Sequence, residues 1–125
     1  MKTTDTAINR VFSLIKTSTI TLPVYKLTKP SEIAAAEYIV INALPISTGV
    51  MQKCIVNVNY HVKNLKPGMP NLSKLETVTA SLMTLLQENS AQRILIDFDS
   101  QEYFNEEDKE EHYSNIRLKV KIVNA

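Results

Sequence analysis

A strict alternation of apolar and polar residues between Lys53 and Lys63 constrains the fold of this chain most strongly. One set of alternate positions is apolar: Cys54, Val56, Val58, Tyr60 and Val62. The other set is mostly polar: Ile55, Asn57, Asn59, His61 and Lys63. Because successive side chains of a β-strand point to opposite faces, this run predicts a long strand with one face in a core and the other face wet.

Four other segments have the composition of strands. The nearly continuous apolar run from Glu37 to Ala43 is typical of a central strand, and the turn at Ser47-Thr48-Gly49 joins it to the alternating run as a hairpin. A short strand is predicted at Val24 to Leu27. Two late segments alternate again, with these apolar positions: Ile94, Ile96, Phe98, then Ile116, Leu118, Val120 and Ile122.

Apolar residues at helical spacing predict two helices. The first follows the cluster Thr3-Thr4-Asp5-Thr6 and carries Ile8, Val11, Phe12 and Ile15. The second carries Leu72, Leu75, Val78, Leu82, Leu85 and Leu86. Either Asn71 or Ser73, with Glu76 at capping-box spacing, can cap its start, and we expect its end near Glu88-Asn89-Ser90.

These elements predict one α+β domain over residues 1–125, in the order α-β-β-β-α-β-β. We expect a mainly antiparallel sheet of about five strands with the two helices packed on one face. The expected core combines the apolar faces of strands and helix: Val56, Val58, Tyr60, Leu75, Val78, Leu82, Ile96, Leu118 and Val120.

Charge is segregated along the chain although the formal net charge is only +1. Acidic residues crowd between Glu102 and Glu111, a stretch that we expect to be a mobile, solvated connection between two strands. A functional alternative is docking onto a basic neighbour, or lining a lumen through which DNA passes without sticking. The candidate partner-contact residues are Glu106, Glu107, Asp108, Glu110 and Glu111.

Residues for catalysis or metal binding are few, and no phosphate-binding loop, zinc-protease or nucleophile-elbow motif is present. His61 could serve as a base or metal ligand, but we interpret it as a structural residue on the polar face of its strand. We interpret His112 as a solvated residue and Cys54 as a small core residue. Asp97, Asp99 and Asp108 have partial calcium-loop spacing, but Glu102 stands where such a loop needs glycine. We therefore expect no enzyme activity, no cofactor and no metal site.

The setting predicted for the chain is intracellular, because the single cysteine cannot form an intrachain disulfide. No apolar run is long enough to span a bilayer, so we expect no membrane partner. The basic positions of the last strand, Arg117, Lys119 and Lys121, lack the interleaved aromatic residues of single-strand binders. We interpret them as a solvated face, with no specific nucleic-acid partner.

The order of elements resembles that of the tail-terminator and tail-completion proteins of long-tailed bacteriophages, and of phage connector and neck proteins. The resemblance spans most of the chain and is carried by the two helices and four segments: Val24-Tyr25, Glu37 to Ile41, Asn57 to Tyr60, and His112-Tyr113. The acidic stretch is longer than a minimal hairpin turn and has no counterpart in this resemblance.

The resemblance implies a non-enzymatic virion protein, assembled in the host cytoplasm, that forms a homomeric ring at the tail end or at the head–tail junction. Its partners would be further copies of itself and other tail or connector proteins. Terminator, connector and neck ring stay open as alternatives. A second hypothesis is a small intracellular protein-binding module, monomeric or dimeric, that acts on a host or phage protein.

Overall fold

The elements of the chain follow the predicted order α-β-β-β-α-β-β. The structure is a computed structural model, and it describes residues 2–87 and 93–124. Its elements are α1 (Thr4–Lys16), β1 (Val24–Lys26), β2 (Glu37–Ala43), β3 (Met51–Lys63), α2 (Leu72–Gln87), β4 (Ile94–Glu106), a 3-10 turn (Glu107–Lys109) and β5 (Glu111–Val123).

The five strands form one mixed sheet in the order β1-β2-β3-β5-β4. β1 pairs with β2 in parallel, and the other three pairings are antiparallel, so the prediction of a mainly antiparallel sheet is confirmed. The β4–β5 pairing shifts register between Phe98 and Ser100, which marks a bulge in β4. This order leaves β1 and β4 at the two opposite edges of the sheet.

Both helices pack on one face of the sheet, and the predicted core is confirmed. Val78 is the only member of the predicted set that is partly rather than fully buried, and it packs against the core cluster. Leu72, predicted on the apolar face of the second helix, is 61% exposed. It is the first residue of α2 and precedes Leu75, the first residue that the helix buries, so it lies before the turn that meets the sheet.

The acidic stretch from Glu102 to Glu111 is not the solvated loop that its charge predicted. β4 continues through Glu106 and β5 begins at Glu111, so only the short 3-10 turn and Glu110 stand between the strands. Tyr103 and Phe104 pair in register with Ser114 and Tyr113. The ladder hydrogen bonds and these cross-strand contacts hold the strands together against the repulsion between the acids.

The start of α2 is capped by Asn71, whose Oδ1 accepts a hydrogen bond from the Lys74 backbone N–H at 3.3 Å. Of the two predicted caps, Asn71 is therefore the one used. The predicted end near Glu88-Asn89-Ser90 lies outside the described residues. Within the described ranges, no helix has the length and apolar character needed to cross a membrane.

Candidate functional site

An aromatic row crosses the sheet on the face that the helices leave open. Tyr38 pairs with His61, His61 with Tyr113, and Tyr113 with Phe104, so the four rings come from β2, β3, β5 and β4. Neighbouring ring centroids lie 4.6, 4.7 and 5.2 Å apart, in stacked geometry. Tyr25 of β1 extends the row with an edge-on contact to Tyr38 at 6.4 Å. All five strands therefore contribute a ring.

Two glutamates face the imidazole of this row. His61 Nδ1 lies 3.2 Å from Glu111 Oε1 and 3.6 Å from Glu106 Oε1. The Tyr38 hydroxyl donates a hydrogen bond to the same Glu111 oxygen at 2.5 Å. His61 and Glu111 are buried, whereas the Glu106 side chain is about a third exposed. A histidine, two carboxylates and a tyrosine thus converge at one end of the sheet, and we call this set the His–Glu cluster.

The second oxygen of each carboxylate in the His–Glu cluster faces a lysine. Glu106 Oε2 lies 3.7 Å from Lys109 Nζ, and Glu111 Oε2 lies 3.9 Å from Lys63 Nζ. Both lysines are more than half exposed, so solvent screens these pairs. Each carboxylate therefore directs one oxygen towards the imidazole and the other towards a screened cation.

Burial controls the protonation of the His–Glu cluster. Desolvation lowers the pKa of His61, and the negative charges of Glu111 and Glu106 oppose that effect only in part. Burial also raises the pKa of Tyr38, followed by its hydrogen bond to Glu111. At neutral pH the cluster therefore combines a neutral imidazole, which can act as a ligand or hydrogen-bond partner, with a protonated phenol that donates to Glu111.

A shallow cleft of about 220 Å³ leads from the surface to the His–Glu cluster. It lies between the segment after β1, the 3-10 turn and the open face of the sheet. Its lining includes Leu27, Lys29, Tyr38, His61, Glu106 and Lys109. Small solutes or ions therefore have a path to His61 although the imidazole is mostly buried.

The rest of the open face is largely polar, and its asparagines hydrogen-bond to one another. Asn115 donates to Asn59 at 2.6 Å and to Asn57 at 3.2 Å, and Asn57 donates to Asn42 at 2.9 Å. Arg117 Nε and Lys119 Nζ lie 3.7 and 3.6 Å from the carboxylate oxygens of Asp99. Two of the three bases that the sequence places on this face thus have an acidic neighbour.

The β1 edge of the sheet is short and basic. β1 ends in a tight turn in which the Thr28 N–H donates to the Lys26 carbonyl at 2.8 Å and Leu27 adopts a φ of 70°. This positive φ is strained for leucine, and the side chain is 62% exposed. Lys26 lies over the Phe12 ring on the helix side of this edge. Lys29 lies over the Tyr38 ring on the open-face side.

The β4 edge is long and acidic. β4 has 13 residues, and among the described residues no strand pairs with its outer side, nor with the outer side of β1. Asp97 and Glu102 are exposed on this strand, together with the apolar side chains of Leu95 and Tyr103. The two open edges of the sheet therefore carry opposite charge.

The five predicted partner-contact residues do not form one solvated cluster. Glu107 and Asp108 are exposed on the 3-10 turn, as predicted. Glu110 holds the neighbouring turn, because its Oε2 accepts hydrogen bonds from the Gly68 N–H and the Asn64 amide at 3.3 and 3.4 Å. Glu106 and Glu111 instead face His61. The prediction that Glu111 lies at the surface is wrong. The strand pairing of β5 places its carboxylate under Tyr38 and leaves the residue 2% exposed.

Three other residues singled out by the sequence have different outcomes. Cys54 is buried in the core, as predicted. His61 lies on the polar face of its strand, as predicted, but its aromatic neighbours on both adjacent strands cover it to 7% exposure. His112 lies within β5, and its Nδ1 is 2.7 Å from Asn64 Oδ1. The only signal for the His–Glu cluster in the sequence was His61 on the polar face of its strand, and the strand register brings Tyr38 and Tyr113 beside it.

The notional calcium loop is not formed. Asp97 and Asp99 lie in β4, whereas Asp108 lies beyond its far end on the 3-10 turn. An extended strand between these residues prevents their carboxylates from converging. No protein-family model matches the chain, and the search of curated proteins finds no match.

Proposed function

We propose that this chain is a non-enzymatic structural protein of a phage virion that assembles as a homomeric ring at the tail end or the head–tail junction. The resemblance of its element order to tail-terminator and neck proteins supports this role. The observation that carries the proposal is the opposite charge of the two open sheet edges. Lys26 lies in β1 and Lys29 shortly after it, whereas Asp97 and Glu102 lie in β4.

Complementary edges on opposite sides of one subunit favour head-to-tail association. Such a contact joins two different surfaces, and it forms a ring when the rotation between copies closes. β1 and β4 also run in opposite directions, because β1 is parallel to β2 and three antiparallel pairings separate β2 from β4. The β4 edge of one copy would therefore meet β1 of the next as an antiparallel pair.

The two edges also have features of contact surfaces rather than of fully protected edges. The strained, exposed Leu27 stands at the end of β1, and Leu95 and Tyr103 are exposed along β4. Charged residues and the bulge in β4 guard that edge against indiscriminate pairing. Charge then selects the complementary edge of a second copy.

The exposed turn after β4 supplies a second contact surface in the ring. Glu107 and Asp108 are exposed there, on the 3-10 turn between β4 and β5. In an assembled ring these acids would either dock onto a basic neighbouring tail or connector protein, or face a lumen that DNA crosses. Docking would depend on attraction between opposite charges, and the lumen on repulsion between like charges. Neither arrangement requires a catalytic group.

Charge reversal with rescue tests the ring contact. One variant carries Lys26→Glu and Lys29→Glu, a second carries Asp97→Lys and Glu102→Lys, and a third carries all four changes. Native mass spectrometry and electron microscopy at raised protein concentration, with and without tail tubes or connectors, would report the closed oligomer. We expect each edge variant to lose the ring, because two like-charged edges then face each other, and the combined variant to regain it.

A matched control reverses charges away from both edges, with Lys66→Glu and Glu76→Lys, and should assemble like the parent chain. A parent chain that stays monomeric and binds no virion component would contradict the proposal. That result would favour the alternative of a protein-binding module. Loss of assembly in both edge variants without recovery in the combined variant would refute the edge-to-edge contact.

A further inference from the structure

We propose that His61, Glu106 and Glu111 form a binding site for a divalent transition-metal ion such as Zn²⁺. The ligand atoms would be His61 Nδ1, Glu106 Oε1 and Glu111 Oε1. This site lies on the open face of the sheet, and it does not depend on the proposed ring assembly.

The three ligand atoms are already close to the spacing that a metal ion requires. They all lie within 4.8 Å of one another, and His61 Nδ1 is 3.2 and 3.6 Å from the two carboxylate oxygens. Ligands held about 2.0–2.2 Å from one ion at tetrahedral or octahedral angles are separated by about 3.0–3.5 Å. The separation from His61 to Glu111 falls within this range, and the separation from His61 to Glu106 lies just above it.

The charge distribution favours a cation at this position. Glu106 and Glu111 are directly opposite each other in the β4–β5 ladder, and facing like charges destabilise a strand pair. Their lysine neighbours contact the other oxygens, Oε2. The two Oε1 atoms therefore converge on an imidazole nitrogen with negative charge that a metal ion would neutralise.

The mixture of ligand types selects the class of metal. Imidazole suits Zn²⁺ and the other late first-row ions, whereas Ca²⁺ and Mg²⁺ prefer all-oxygen sites. Three protein ligands leave further coordination positions for water, which the cleft above Glu106 can supply. We therefore expect Zn²⁺ and Co²⁺ to bind and Mg²⁺ and Ca²⁺ to bind poorly.

Neighbouring groups hold the ligands in place. The Tyr38 hydroxyl donates to Glu111 Oε1, and the rings of Tyr38 and Tyr113 stack on the two sides of the His61 imidazole. Such partners around the ligands fix their orientation and raise metal affinity. Because Glu106 and Glu111 flank the 3-10 turn, a bound ion would also tie this turn to His61 on β3.

Isothermal titration of the full chain with ZnCl₂ alone tests the site, and visible absorption of added CoCl₂ reports ligand type. The variant Glu106→Gln is the main test, since that residue is partly exposed and its amide keeps the shape of the side chain. We expect saturable binding by the parent chain and at least about tenfold weaker binding by the variant. A loss of that size is seen in metal sites when a residue that merely orients a ligand is replaced. His61→Phe, which keeps an aromatic ring in the row, should abolish binding.

The matched controls are Glu107→Gln on the exposed turn and His112→Ala in β5, and both should bind Zn²⁺ like the parent chain. Circular dichroism would verify that every variant folds. Absence of saturable Zn²⁺ and Co²⁺ binding by the parent chain would overturn the proposal. Binding that survives in both Glu106→Gln and His61→Phe would overturn it as well, because the ion would then sit elsewhere on the acidic surface.

Discussion

The hydroxyl of Tyr60, a buried residue of β3, donates a hydrogen bond to Glu37 Oε1 at 2.6 Å and thereby joins β3 to the first residue of β2. The other oxygen of Glu37 accepts a hydrogen bond from Lys74 Nζ at 2.9 Å, which ties α2 to the same strand. These contacts lower the pKa of Glu37, with the Tyr60 hydrogen bond as the largest cause, while burial acts in the opposite direction. One carboxylate therefore links three elements in its ionised form.

We expect the stabilising effect of Glu37 to depend on pH. Its folded pKa is below the ordinary value of 4.5, so its contribution is present above that value and is lost as the pH falls through the folded pKa. At pH 7, Glu37→Gln should reduce the free energy of unfolding by about 1 kcal/mol, since a charge-assisted hydrogen bond becomes a neutral one. Urea unfolding between pH 7 and pH 3 should show this difference shrinking in acid. The exposed variant Glu76→Gln should show no such trend, and a pH-independent difference for Glu37→Gln would refute the linkage.

A core truncation in α2 should have a large cost. Leu82 is fully buried, so Leu82→Ala should lower the free energy of unfolding by about 2–5 kcal/mol. The matched control is Leu72→Ala at the exposed start of the same helix, which should cost less than about 0.5 kcal/mol. Chemical denaturation of both variants would measure the two values. Similar values for the two sites would mean that the helix packs with a different face.

Replacement of the strained Leu27 should separate stability from assembly. Leu27→Gly relieves a positive φ that glycine adopts freely, and it removes little buried surface. The free energy of unfolding of the monomer, measured by thermal denaturation, should therefore be unchanged or rise by about 1 kcal/mol. If the β1 edge contacts a second copy, the same variant should assemble more weakly, as measured by native mass spectrometry. A variant that loses stability while it assembles normally would contradict both expectations.

Neutralising the exposed acidic turn should change assembly and leave the fold intact. Glu107→Gln combined with Asp108→Asn removes two exposed charges that make no contact with the core. If the turn docks onto a basic partner, association should weaken, and more so at low salt, because attraction between exposed charges is screened as salt rises. Co-sedimentation with tail or connector components across a salt series would measure the effect. If the variant associates as strongly as the parent at every salt concentration, the turn does not dock and is only a solvated connection.

The alternation of apolar and polar residues predicted β3, the first part of β4 and β5 from Ile116 onward, and the face that each one buries. Cys54, Val56 and Val58 point to the helices because a strand has a period of two, and this property is local to the chain. The 3.6-residue period of α2 similarly placed Leu75 and Leu82 in the core. Both predictions follow from short-range geometry, so they did not require knowledge of the strand order.

The tertiary structure decided which residues meet across the open face. Tyr38, His61, Phe104 and Tyr113 form one row only because the register of three strand pairings aligns them, and alternation fixes a face but not a register. The same pairing carried β4 through the acidic stretch and buried Glu111, against the repulsion that local charge predicts. The strand order then set the basic β1 edge and the acidic β4 edge on opposite sides of the molecule. These relationships depend on hydrogen bonds between residues far apart in the chain, and no local pattern encodes them.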